Sequence, residues 1–300
     1  MTLPNAELEA AVTLSRMSGV GARGFIDLIR KHGLPSAALA AWIATEASRP
    51  IRRAGEKPKH PGPVEGWAER ARLAGAAAAW AGGPGYPARL LDLTEPPPIV
   101  FMRGAWLEPP AARRLCVVGA RRASPETLVR LRRLIGDIAA NERAKGPSWE
   151  IVSGAAVGID AAAHRAALEN GMRTSAVLAN GIDISYPACN EALIEEIAGS
   201  GGLLTELLPG APPRRSFFPT RNRLLAALAD AVLVVQAGET SGSLITAGWA
   251  VKLRRPLFAF VPAADTADWA GNAALIAAGA RPLSLSGIDI DTISSSIFSP

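Results

Sequence analysis

From residue 113 onward the chain alternates two hydrophobic patterns. Short, almost continuously apolar runs fall at Leu115–Val118, Glu150–Val152, Thr174–Leu178, Leu203–Thr205, Val232–Val235 and Leu257–Phe260. Between them apolar residues recur at helical spacing over Pro125–Ala140, Gly158–Leu168, Asn190–Ala198, Arg221–Leu228 and Leu244–Leu253. Strands without a polar face are buried on both sides, and a strand–helix alternation closes into a parallel sheet through right-handed crossovers. The pattern predicts an α/β, doubly wound, mostly parallel sheet over residues 113–283, with its ligands beyond the carboxyl ends of the strands.

The first third reads differently. Leu14, Met17, Val20, Phe25, Leu28 and Ile29 have near-helical spacing broken at Gly19-Val20-Gly21, which predicts a small helical unit over 1–47 with a Gly-apolar-Gly hairpin. A hairpin of this kind either holds a phosphate on its amides or is a plain helical turn. Residues 48–66 contain Pro50, Pro58, Pro61 and Pro63 and read as a basic linker that builds no core. Residues 67–112 read as a connecting segment: a helix over Trp67–Trp80, a break at Gly82–Pro87, then a short strand after Pro96-Pro97-Pro98.

Composition narrows the chemistry. The 300 residues carry 32 Lys+Arg against 27 Asp+Glu, a net +5, so the placement of the positive charge matters more than its total. Cys116 and Cys189 match no metal spacing and no disulfide framework. No apolar run approaches the roughly 20 residues of a membrane span, and the amino terminus lacks a secretory layout, so a cytoplasmic protein is expected.

The chemistry-bearing residues gather at predicted strand ends. The first strand runs into Gly119 and Arg121, with Ser124-Pro125 as cap and first residue of the next helix. The second ends in Ser153-Gly154, followed by Gly158 and Asp160 at a helix start. The third opens into Ala179–Pro187. The fourth leads to Arg214, Arg215, Phe217, Phe218, Arg221, Asn222 and Arg223, and the fifth to Ser241-Gly242-Ser243 with Thr246 one turn inside. Unpaired amides at helix starts, hydroxyls and arginines together suit phosphate groups. Cations at Arg221 and Arg223, read as a helix start, oppose the helix dipole and call for an anion there.

Each assignment has a structural alternative. Gly154 and Gly158 could serve close packing, Asp160 could cap its helix, His164 could be a packed residue, Arg214 and Arg215 could be a solvated face, and one of the two phenylalanines could be core. Catalysis and metal binding find little support. No Gly-x-Ser-x-Gly elbow accompanies His164. Metal ligands do not cluster, and the turn after the first strand is not Gly-x-Gly-x-x-Gly. No cofactor is expected.

Taken in order, Gly119-x-Arg121-x-x-Ser124, Ser153-Gly-x-Ala-x-Gly-Ile-Asp-x-x-x-His164, Tyr186-Pro187, Phe218-Pro-x-Arg-Asn-Arg223 and Ser241-Gly-Ser-Leu-Ile-Thr-Ala247 resemble the DprA/Smf family of bacterial DNA-processing proteins. Gly271-Asn272 through Ala280, Tyr86-Pro87 and Pro98–Gly104 fit as well, so the resemblance covers about Gly85 to Ala280. It implies a Rossmann-like domain preceded by a SAM-like or helix-hairpin-helix-like one. It also implies binding of single-stranded DNA, loading of the RecA recombinase during natural transformation, a homodimer formed through the Rossmann-like domain, and no catalytic step. Carried over by position, Arg121, Arg221 and Arg223 hold phosphates, while Ser153, Gly154, Gly158, Ser241, Gly242 and Ser243 offer backbone or hydroxyl contacts. The chain departs from the pattern at Val157, where arginine is common, and at Ala120, Gln236 and Ala263. The tail 284–300 is too short for the winged-helix domain that many members carry. The competing readings are a nucleotide-processing phosphoribohydrolase of the lysine-decarboxylase-like group, whose glutamate has no counterpart in Leu244–Leu253, and a nucleotide-sensing scaffold.

Overall fold

The computed structural model describes residues 6–47, 65–107, 113–144, 148–264 and 266–284. Most of the expected linker and all but the first residue of the tail lie outside these. Three helices, α1 (Ala6–Ser15), α2 (Gly21–His32) and α3 (Pro35–Ala47), form the amino-terminal unit. Gly19 and Gly21, both at positive φ, turn the chain between α1 and α2, and Val20 between them is buried. Leu8, Leu14, Met17 and Phe25 run without a break into the core of the sheet.

The helix expected over Trp67–Trp80 stops early. Helix α4 covers Trp67–Leu73, and Gly75 at φ 65° ends it. Ala76–Trp80 is then strand β1, paired antiparallel with β2 (Ile99–Arg103) in a register that sets Ala78 against Phe101. Alanine has the highest intrinsic helix propensity. Here tertiary pairing overrides it, because small side chains let α1 approach the edge of the sheet.

The other strands are β3 (Arg113–Val118), β4 (Trp149–Ser153), β5 (Arg173–Val177), β6 (Gly202–Thr205), β7 (Ala231–Val234), β8 (Leu257–Phe260) and β9 (Arg281–Leu283). Among the described residues the sheet has nine strands in the order β1-β2-β6-β5-β4-β3-β7-β8-β9. It is parallel from β6 to β9, and β2 joins β6 antiparallel. The connecting helices are α5 (Pro125–Ala144), α6 (Ile159–Glu169), α7 (Glu191–Ser200), α8 (Phe217–Leu228), α9 (Ser243–Lys252) and α10 (Ala270–Ala277). This is a Rossmann-like α/β fold. All six strands read over residues 113–283 are present, as is the short strand expected after Pro98, which is β2; β1 and the three-residue β9 were not anticipated.

Helices α5, α6 and α7 pack side by side, as do α8 and α9. Right-handed crossovers that run one way along the sheet from β3 to β6, and the other way from β6 past β3 to β8, place the two sets on opposite faces. Strand β3 feeds both: Leu115 and Val117 pack with Leu131 and Leu134 of α5, and Cys116 and Val118 lie in the core that includes Leu224 of α8. At the amino end of the sheet a charge pair is buried. Arg114 Nε donates to Glu150 at 2.9 Å, with Glu150 fully enclosed. The Ser175 hydroxyl donates to the other Glu150 oxygen, and the Arg114 guanidinium lies 4.5 Å over the Trp106 ring. Removing one partner of such a pair strands the other charge in the core. Glu150→Ala is therefore expected to destabilise the fold by about 3–5 kcal/mol in denaturant unfolding. A loss below about 1 kcal/mol, the range of a surface pair, would contradict the buried-pair assignment.

Candidate functional site

Chain order reverses at β3. Successive strands run from it to β6 on one side and then from β7 to β9 on the other, so the crevice opens beyond its carboxyl end. Gly119 forms the floor. A Cβ there would lie 2.7 Å from Ile159 Cγ1 and 3.1 Å from the Gln236 carbonyl oxygen. Gln236 stitches the crevice together: its main-chain oxygen accepts from Ala120 N at 2.7 Å and its Oε1 accepts from Ser124 N at 3.2 Å. The Ser124 hydroxyl accepts from Thr127 N at 3.2 Å and caps α5, as expected from Ser124-Pro125.

The glycine turn after β4 holds a carboxyl group of its own. Asp160 is buried, and its Oδ2 accepts from Gly154 N at 3.2 Å and Ala156 N at 3.4 Å. It neither caps α6 nor faces the crevice. Burial raises its pKa, and the nearby Arg221 guanidinium offsets part of that. The Ser153 hydroxyl donates to the Val117 carbonyl at 2.6 Å. Ala155 adopts φ 56°, and its carbonyl accepts from Asn190 Nδ2 at 3.1 Å. Gly158, at φ 83°, has no room for a Cβ, which would sit 2.4 Å from the Ala120 oxygen.

Arg221 occupies the space above Gly154. Its Nη1 donates to the Gly154 carbonyl at 2.9 Å and to the Val177 carbonyl, its Nε donates to Asn222 Oδ1 at 3.2 Å, and the side chain is only 5% exposed. A Cβ on Gly154 would fall 2.3 Å from Arg221 Nη2, so the glycine is needed to admit the guanidinium. Burial lowers the pKa of Arg221, with Asp160 pulling the other way. Helix α8 also begins four residues before the expected Arg221. Pro219 is tolerated in its first turn, where amides have no helical acceptor. Arg221 and Arg223 consequently lie inside the helix, and the expectation that they crowd its positive end does not apply.

Arg223 turns away from the crevice. It pairs with Glu206, and its Nη1 donates to the Glu95 carbonyl at 3.0 Å. Burial raises the pKa of Glu206, and Arg223 counters it. Asn222 Nδ2 donates to the Gly242 carbonyl at 3.0 Å, tying α8 to the loop before α9. There the Ser241 and Ser243 hydroxyls lie 2.8 Å apart, and Thr246 is fully buried. His164 is a packed residue. Its Nδ1 lies 2.7 Å from Thr174 Oγ1, which itself donates to the Ile151 carbonyl, so the imidazole Nδ1–H is the donor to threonine. Burial, with Arg221 and Arg165 nearby, pushes its pKa down to about 3.

The groups that face outward are fewer. Arg121 is exposed, with its guanidinium 5.1 Å from the centre of the Phe218 ring. The Phe218 ring lies 5.9 Å from that of Tyr186, which is 40% exposed. Arg122, Arg214 and Arg215 are exposed nearby along the same loops, and Arg214 lies 5.8 Å over Phe217. Val157, at the tip of the glycine turn, is 37% exposed. The amides of Arg121, Arg122, Val157, Gly158 and Gly242 make no hydrogen bond with the described residues. Sequence reasoning overlooked Gln236, Asn190 and Tyr186 as parts of the site. Tyr186 carried a signal, an aromatic in an open strand-end loop; Asn190 carried none. Among the described residues no His/Cys/Asp/Glu group could hold a metal, and no helix is long and apolar enough to cross a membrane.

A mostly parallel sheet whose switch point opens on free amides, exposed arginines and two aromatic rings defines a Rossmann-like protein. Residues 78–294 match the family model of DNA recombination-mediator protein A, and the chain belongs to that family, DprA/Smf. It is 41% identical over 204 residues to a DprA-type protein of Mycobacterium tuberculosis, across 68% of this chain and 51% of that one, so it spans about half the length of that relative. The crystal structure of DNA processing protein A from Streptococcus pneumoniae superposes with a TM-score of 0.71 at 25% identity, over 97% of this chain and all of that one. A structure of DNA processing protein A from Helicobacter pylori, described for its single-stranded DNA binding mode, gives 0.62 at 27% identity over 74% and 95% of the two chains.

The buried His164 fixes a pH dependence. Its folded pKa lies below the ordinary value of 6.5, so the unfolded chain takes up the proton first as pH falls. The contribution to stability is complete above about pH 6.5 and is lost as pH falls toward 3, at about 1.4 kcal/mol per unit. Unfolding free energies measured from pH 7 to pH 5 should fall more steeply in the parent than in His164→Gln. An imidazole resonance of His164 titrating near 6.5 would rule this out.

Proposed function

We propose that this chain binds single-stranded DNA in the crevice beyond β3, without catalysing a reaction, and presents it to the RecA recombinase during DNA processing and natural transformation. The observation that carries the reading is the cluster of exposed Arg121 and Tyr186 about the half-buried Phe218, beside Arg214 and Arg215. Arginines spaced along an open groove track a backbone, and aromatic faces accept bases of any sequence. Family membership and the Helicobacter relative support the same ligand. Asp160 and His164 are both enclosed and engaged internally, which favours binding over acid–base chemistry. In this reading the protein acts in the cytoplasm as a homodimer formed through the Rossmann-like domain.

The roles of the arginines separate within this proposal. Arg121 and Arg215, with Arg122 and Arg214 beside them, meet phosphates. Arg221 positions the turn that supplies the Val157 and Gly158 amides, and Arg223 anchors α8 to Glu206. Each phosphate contact adds about 0.7 to the slope of log affinity against log salt for a single strand. Arg121→Ala should weaken binding of a thymidine oligonucleotide and flatten that slope by about 0.7. Arg221→Lys should weaken binding with the slope unchanged. Polarisation titrations at several salt concentrations, on variants checked for folding by circular dichroism, decide this. A flattened slope for Arg221→Lys would make Arg221 a phosphate ligand; an unchanged slope for Arg121→Ala would remove the site.

A further inference from the structure

A second concavity lies away from the crevice, where the amino-terminal helices meet the sheet. It has a volume of about 550 Å³ and is bounded by α2 on one side and the chain from Leu91 to Pro96 on the other. This size is within the range of small-molecule sites, which concentrate at junctions between structural units. Ile26, Ile29, Leu91, Leu93 and Pro96 give it hydrocarbon walls, and Leu91, at 44% exposed, leaves apolar surface open to solvent.

Its polar groups are cationic in balance. Arg23 spends one donor, Nε, on the Thr94 carbonyl at 3.1 Å, which fixes the guanidinium against the wall. Its two Nη groups have no partner among the described residues, so the fork that suits a carboxylate or phosphate is vacant. Arg30 stands two turns further along the same face of α2, and among the described residues it is held by an open contact of 3.3 Å to Asp27, in which both side chains are about three-quarters solvent-exposed. Two guanidinium groups against one carboxylate leave a net positive lining.

We propose that this cavity binds a small organic anion, a carboxylate or phosphate monoester carried on an apolar or planar body. The charged end would pair with the free edge of Arg23 and with Arg30, and the body would cover Ile26, Leu91 and Leu93. The site is linked to α8 through the Glu95 carbonyl next to Thr94, which receives Arg223, and none of the outward-facing crevice groups lines it.

Methyl resonances of Ile, Leu and Val in the full chain read the two places separately, with Ile26, Leu91 and Leu93 for the cavity and Val157 for the crevice. Benzoate and thymidine 5′-monophosphate are the probes, and thymidine is the uncharged control. Saturable shifts at the cavity methyls with benzoate, the monophosphate or both are expected, and which probe acts identifies the anion. Arg23→Ala, a surface change, should weaken that binding about tenfold or more, whereas Arg121→Ala should leave it unchanged. Absence of saturable cavity shifts with either anion, equal shifts with thymidine, or full binding by Arg23→Ala would each overturn the proposal. Shifts of Val157 alone would leave the crevice reading intact while refuting the cavity.

Discussion

The crevice depends on one buried cation. Arg221 inserts its guanidinium between the ends of β4 and β5, donating to the Gly154 and Val177 carbonyls, with the enclosed Asp160 carboxyl group nearby. Charge inside a fold is tolerated only when it is paired and hydrogen-bonded, and the local architecture satisfies that demand. Gly154 lacks a side chain so that the guanidinium fits, and Asp160 folds back onto the amides of Gly154 and Ala156. What resembles a phosphate loop is thus already occupied by the protein's own carboxyl group. The pair fixes the course of the turn and leaves Val157 and Gly158 as its outward part.

This arrangement divides the cations of the strand-end loops into two sets. Arg221 and Arg223 hold α8 to the sheet and to Glu206. Arg121, Arg122, Arg214 and Arg215 remain in solvent, flanked by Phe218 and Tyr186. Because Arg221, Asn222 and Arg223 grip three different loops from one helical turn, α8 sets the relative position of the glycine turn, the Gly242 loop and the segment at Glu95. Val157 gains a physical meaning from its place at the tip of the turn. A valine there presents hydrocarbon to solvent; under the proposed function it would meet a sugar or base edge, where arginine would meet a phosphate. Gln236 also fits its surroundings: both of its oxygens accept amides from the β3–α5 connection.

Much of the fold was legible in the sequence because buried parallel strands are written as near-continuous apolar runs; all six read that way are present. The alanine run at 76–79 was not legible as a strand, since its composition favours a helix and only pairing with β2 decides the matter. For the site, the sequence located the right loops but not the direction of each side chain. Ser124 as a cap and His164 as a packed residue follow from local chemistry. The inward turn of Asp160, Arg221 and Arg223 does not, because it depends on contacts such as Arg221 with Val177, 44 residues away in the chain. Helix α8 can start at Phe217 because Pro219 falls in its first turn, where amides have no helical acceptor, and a proline two residues before Arg221 already pointed to a start earlier than Arg221.

The most direct test of the division between inner and outer arginines is a crystal structure of the protein with a short thymidine oligonucleotide. Phosphates should lie against Arg121 and the Arg214–Arg215 segment, a base should stack near Phe218 and Tyr186, and Arg221 should remain on the Gly154 and Val177 carbonyls. A phosphate bound by Arg221, with those two carbonyls released and Asp160 displaced from the turn, would contradict it.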